Sequence, residues 1–176
     1  MELGPVDRIT ADAVGEPGER TFYIQARAGE ELVTVIVEKQ QVQLLAASVL
    51  ELMEDAPAVE PVPEEPAMNL EEPLDPRWRA GRLSLGFDQD RDLFMLEVEE
   101  FQPELEDLEV DDPAAILPGI EPESIRIWAS PAQMLALSRH GAAVAARGRP
   151  TCQFCGNPID AEGHACPAMN GHSKRA

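Results

Sequence analysis

Apolar and polar positions change period several times along this chain, and each change predicts an element. From Asp7 to Val14 and from Arg20 to Ala28 ("RTFYIQARA") strand-forming residues alternate with polar ones, the pattern of a half-buried strand. The turn "GEPGE" separates the two runs. A second turn, "GEE", leads into Leu32–Lys39 ("LVTVIVEK"), which is dense in β-branched residues, so the second and third runs read as a hairpin. The period then lengthens. Val42, Leu45, Val49, Leu52 and Met53 lay an apolar stripe along a helix predicted over residues 40–55.

The pattern repeats after an interruption. Residues 78–88 ("WRAGRLSLGFD") and 91–101 ("RDLFMLEVEEF") predict a second hairpin around "DQD", with Leu83, Leu85 and Phe87 on its inner face. Residues 123–130 ("ESIRIWAS") make a short strand and residues 131–148 a helix. Ser130 is placed to cap that helix, Pro131 suits its first position, and Gly148 lies just past its end. Each half thus offers about three strands followed by a helix that starts near Lys39 or Pro131. The predicted class is α+β, with antiparallel sheets, two packed helices and a β-β-β-α unit that reads as duplicated.

Between and within these halves the composition shifts. Residues 54–76 hold six prolines, eight acids and no base. Proline removes an amide donor and disfavours helix in the residue before it, so this stretch reads as an extended, solvated linker. A loop over residues 101–122 is also acidic, and loops of that length are functional or disordered more often than not. The organisation predicted is an α+β domain over residues 1–148, interrupted by linker 54–76 and loop 101–122, then a tail over residues 149–176.

Charge narrows the partners. The chain of 176 residues carries a net charge of −19. From Arg147 onward four basic residues (Arg147, Arg149, Lys174, Arg175) face two acidic ones, so residues 1–146 carry −21. Such a body repels phosphate backbones and favours basic partners, which makes nucleic acid a poor partner for the main domain. The first residues lack the apolar core of a signal peptide, and no run approaches ~18 apolar residues, so neither secretion nor a membrane is expected. The expected location is the cytoplasm.

The candidate chemistry is concentrated in "CQFCGNPIDAEGHACPAMNGH", residues 152–172, which holds all three cysteines and two of the three histidines. Two residues between Cys152 and Cys155 let one tight turn present both sulfurs, and Gly156 lets the chain fold back. His164 and Cys166 share a face if their segment is extended. Three sulfurs and an imidazole suit a closed tetrahedral Zn²⁺ site made by Cys152, Cys155, His164 and Cys166, with His172 as the alternative fourth ligand. So short a tail needs a staple. Structural zinc supplies roughly 10–16 kcal/mol, whereas burying Phe154 and Ile159 supplies about 1.5–3 kcal/mol each. A redox pair and an unliganded tail are the competing readings, the first disfavoured because "CGNP" does not open a helix. Four protein ligands leave no position for water, and the spacing matches no catalytic zinc motif.

Elsewhere the signals are weaker. No phosphate-cradling glycine loop or nucleophile elbow is present. His140 is expected at the surface or in the last turn of the second helix, Ser48 and Ser138 as ordinary helical serines, and Trp78 and Trp128 as core or interface anchors. Glu38, Lys39 and Gln41 form a polar cluster at a strand–helix junction, read chiefly as capping and otherwise as the edge of a small site. No catalytic residue is nominated.

Four stretches also resemble a known family: "DRITADAVGEPGERTFYIQARAG", "VEKQQVQLLAASVLELMED", "WRAGRLSLGFD" and "RGRPTCQFCGNPIDAEGHACPAMNGH". They are similar, in this order, to an uncharacterised actinobacterial domain family that ends in a zinc-knuckle block of the form CxxCG…GHxCP. The resemblance implies a cytoplasmic protein without an assigned reaction, encoded beside histidine-phosphatase-fold and kinase-like proteins. It favours His164 over His172 as the fourth ligand.

Three functions follow as expectations. The first is a non-enzymatic, zinc-binding accessory or regulatory protein that works through a protein partner. The second is a nucleic-acid- or transcription-associated zinc ribbon, for which only Arg147, Arg149, Lys174 and Arg175 offer phosphate contacts. The third is an enzyme on phosphorylated small molecules, which would need a pocket lined by Arg20, Arg27, Lys39 or Arg82.

Overall fold

The computed structural model describes residues 1–54, 68–103, 121–159 and 163–168. Strands β1 (Glu2–Leu3), β2 (Arg8–Val14), β3 (Thr21–Ala28) and β4 (Glu31–Val37) precede helix α1 (Lys39–Met53). Strands β5 (Ala80–Asp88), β6 (Leu93–Glu100) and β7 (Ser124–Ala129) precede helix α2 (Pro131–Ala146). The class is α+β, and β-β-β-α occurs twice in the element order. The sequence pattern gave no sign of β1, a two-residue strand that pairs in parallel with β7 through Glu2 and Arg126.

The strands form two sheets, β1-β7-β6-β5 and β2-β3-β4. Backbone hydrogen bonds join them at both edges. On one side the Ile36 amide donates to the Trp78 carbonyl at 2.9 Å and the Arg77 amide to the Thr34 carbonyl at 2.9 Å. On the other the Val6 amide donates to the Trp128 carbonyl at 2.9 Å and the Asp7 amide to the Arg27 carbonyl at 2.8 Å. Alternation then fills the core. Ile9 and Ala11, Ile24 and Ala26, and Val33, Val35 and Val37 are buried from one sheet; Phe94, Leu96 and Val98 with Ile125 and Ile127 are buried from the other.

The two helices lie against each other and against this core. Val42, Leu45, Ala46 and Val49 form the buried stripe of α1, while Leu52, expected in it, stands exposed. Ser138, fully buried in α2, donates to the Ala46 carbonyl at 2.8 Å and pins the helices together. At Gly141 the backbone of α2 comes closest to its neighbours: a Cβ there would lie 3.0 Å from Val42 Cγ1 and 3.3 Å from Ala11 Cβ. Ser130 caps α2 as expected. Its hydroxyl accepts from the Gln133 amide at 3.2 Å, and Gln133 Oε1 accepts from the Ser130 amide at 2.8 Å.

Two expectations need correction. His140 is not at the surface. Its side chain is only 6% exposed, and Nε2 lies 3.5 Å from Asp12 Oδ1. The reason is packing: α2 lies along β2, which turns residue 140 toward the sheet rather than to solvent.

The second concerns the acidic linker, whose residues 55–67 lie outside the described residues, as do 104–120 of the acidic loop. The part from Met68 to Arg77 is no solvated spacer but a strap on the outer face of the β2-β3-β4 sheet. Thr10, Gln25 and Thr34 face one another across that sheet and are buried. The Thr10 hydroxyl donates to the Met68 carbonyl. Gln25 receives the Glu71 amide at 2.7 Å on its Oε1 and donates from Nε2 to the Glu71 carbonyl at 2.9 Å. Arg27 Nε adds an ion pair to Glu71 at 3.1 Å.

No helix among the described residues is long and apolar enough to cross a membrane.

Candidate metal centre

After α2 the chain reverses in a tight hairpin. Thr151 bridges Pro158, the Cys152 amide donates to the Asn157 carbonyl at 2.8 Å, and the Ile159 amide donates to the Pro150 carbonyl at 2.7 Å. At its tip the Gly156 amide closes back on the Cys152 carbonyl at 2.8 Å, with Gly156 in the left-handed region at φ 73°. This turn aims both thiols of the CxxC pair to one side, and residues 163–166 bring His164 and Cys166 across to meet them.

The result is a compact donor set. One ligand atom from each of Cys152, Cys155, His164 and Cys166 lies within 4.8 Å of the others. Cys152 Sγ and Cys166 Sγ are 3.8 Å apart, and Cys155 Sγ is 3.2 Å from His164 Nε2. A disulfide would need about 2.05 Å between sulfurs, and all three cysteines are free. Zn–S bonds of about 2.3 Å meeting at a tetrahedral angle put two sulfurs about 3.8 Å apart, and the matching S···N edge is about 3.5 Å. The spacing therefore fits a metal ion held by four protein ligands. His172 lies outside the described residues.

The backbone also prepares the thiols. Hydrogen bonds from the Phe154 and Cys155 amides toward Cys152 favour its thiolate and lower its pKa from 9.0 to about 7. At Cys155 the Asn157 amide also favours the thiolate. Lost hydration and the neighbouring Cys166 and Cys152 sulfurs outweigh it and raise the pKa. A cluster of thiols resists carrying several negative charges unless a cation joins it.

The remaining sequence candidates are dispersed. Arg20 and Lys39 line one cleft beside the hairpin. Arg27 belongs to the strap, and Arg82 lines a separate groove between α1 and β5. At the strand–helix junction Gln41 Oε1 accepts from the Glu38 amide at 2.7 Å, and its Nε2 donates to the Gly81 carbonyl at 3.0 Å, which is the capping role. The indole of Trp78 donates to Glu123 at 3.3 Å, and that of Trp128 to Glu2 at 2.8 Å with the Arg91 guanidinium 4.8 Å over its ring.

A family model described as "Protein of unknown function (DUF3090)" matches residues 1–166. The chain belongs to this family. The match takes in the whole α+β body and all four clustered donor residues, and ends before His172. No curated protein matches the chain, and no solved structure does. Membership therefore carries no reaction with it.

Proposed function

We propose that this member of the DUF3090 family is a non-enzymatic zinc-binding accessory or regulatory protein, in which Cys152, Cys155, His164 and Cys166 hold one structural Zn²⁺. The four-donor cluster carries this reading. Its sulfur-rich composition and the 3.8 Å separation of Cys152 and Cys166 suit Zn²⁺, and four protein ligands would fill the coordination shell and leave water no place to be activated. The ion would fix a hairpin too small to bury a core of its own.

A partner-binding role draws support from what the body leaves uncovered. Leu44 and Leu52 are exposed on α1 and, with Leu83 and Leu85, line an open groove of ≈ 800 Å³. Phe154 is 63% exposed at the hairpin tip. Exposed apolar surface of this kind is typical of protein contacts. The charge of −21 over residues 1–146 favours a protein partner over nucleic acid.

The test is elemental analysis of the purified chain together with affinity capture from native cells. About one zinc per chain is expected, lost in Cys166→Ser. A metal-free chain whose hairpin is nonetheless ordered would overturn the zinc assignment. If capture with the wild-type chain and with Leu44→Asp returns the same proteins, the groove is not the partner surface.

A further inference from the structure

The cleft beside the hairpin has the wrong sign for this protein. Among the described residues its walls carry four cations, Arg20, Lys39, Arg79 and Arg149, and one carboxylate, Glu38, in a chain of −19. Its volume is ≈ 450 Å³, within the range of small-molecule sites of roughly 300–1,000 Å³. Phe22, Ile36, Val37 and Ala145 supply its apolar lining, and Thr151 and Pro158 of the knuckle hairpin line it as well.

The cations are held in place. Arg20 donates to the Val144 carbonyl in the last turn of α2 at 3.1 Å, and Arg79 is fixed by Glu38. Lys39 and Arg149 each run along a glycine: a Cβ at Gly148 would lie 3.2 Å from Lys39 Nζ, and one at Gly18 would lie 2.9 Å from Arg149 Nε. Lys39 is also the first residue of α1, so the positive end of a fifteen-residue helix opens on the same cleft. Clustered cations normally repel one another, and a dianion relieves that repulsion while gaining charge-assisted hydrogen bonds.

We propose that this cleft binds a small phosphate ester, its dianionic head among Lys39, Arg79 and Arg149 and its organic body on the apolar lining. The cleft adjoins the knuckle hairpin but is lined by none of the four clustered donors, and it does not rest on the identity of the metal. A free inorganic ion would satisfy the cations but leave the lining of Phe22, Ile36 and Val37 uncovered, so an ester is favoured over inorganic phosphate.

The experiment titrates the full chain, as purified with its metal, with phenyl phosphate, inorganic phosphate and phenol at low ionic strength. Calorimetry and amide chemical shifts are the readouts. Phenyl phosphate is expected to saturate one site, to bind more tightly than inorganic phosphate, and to shift the amides of Lys39, Gly148 and Thr151. Phenol should not bind. Lys39→Glu and Arg149→Glu should each weaken the ester by about tenfold or more, as loss of one charge-assisted contact implies. Arg82→Glu, in the other groove, should leave it unchanged. Equal binding of phenol, or shifts confined to other surfaces, would overturn the proposal. So would unaltered affinity in both cleft variants, or no saturable binding of the ester to the wild-type chain.

Discussion

Cys152 Sγ and Cys166 Sγ face each other at 3.8 Å, fourteen residues apart in sequence and too distant to be bonded. That separation equals the S···S edge expected of a tetrahedral site with Zn–S bonds of about 2.3 Å. It brings the first thiol of the CxxC turn to Cys166, so replacing either cysteine should open the proposed metal site.

The fourth ligand is the sharpest consequence. His164→Ala should lower zinc affinity by more than the roughly 10–100-fold typical of changes outside the ligand shell, whereas His172→Ala should leave it unchanged. Competition against a chromophoric chelator measures both. The reverse order would give the position to His172.

Metal binding should weaken as pH falls. With the Cys152 pKa lowered to about 7 and that of Cys155 raised, protons compete for both sulfurs in the neutral range. Zinc affinity should therefore drop between about pH 8 and about pH 6, with more than one proton taken up per ion released. Without metal the two thiols act oppositely. The lowered Cys152 pKa contributes stability that is full above its ordinary value of 9.0 and is lost as pH falls through about 7. The raised Cys155 pKa contributes stability that is full below 9.0 and is lost as pH rises above it. Denaturation of metal-stripped protein across this range reads out the balance.

Gln25 holds the strap. Gln25→Leu removes the partner of both the Glu71 amide and its carbonyl, and should destabilise the fold by about 1–3 kcal/mol for unsatisfied groups. Urea denaturation gives the value. Glu71→Gln, which keeps those backbone bonds and loses only half-exposed ion pairs, should cost less than about 1 kcal/mol.

Gly141 sets the spacing of three elements. Gly141→Val should destabilise by about 1–3 kcal/mol, because its Cβ would already stand 3.0 Å from Val42 Cγ1 and the added methyls cannot move away. Gly141→Ala should be closer to neutral, since a helix gains about 1 kcal/mol from that exchange, offsetting part of the crowding. Thermal melts of the two variants should separate clearly.

The periodic elements were legible because their signals are local. Alternation in "RTFYIQARA" and "LVTVIVEK", and Ser130 with Pro131 ahead of α2, depend on residues a few positions apart. The Cys/His cluster was legible for the same reason, since its four donor residues fall within fifteen positions. Composition misled only where the partner was distant. Proline and acid in residues 54–76 carry no trace of the buried Thr10–Gln25–Thr34 row that needs a strap to satisfy it.

The sequence by itself determined the α+β class, the two hairpins, the capped second helix and the grouping of three cysteines and a histidine, because spacing along the chain fixes each of these. Tertiary structure alone decided the burial of His140, the docking of Met68–Arg77, and the gathering of Arg20, Lys39, Arg79 and Arg149 around one cleft. Those four cations lie up to 129 positions apart and sit in a strongly acidic chain. Net charge is a sum that hides position, and only the packing of β3, β4, α1 and the knuckle hairpin gives the cleft its sign.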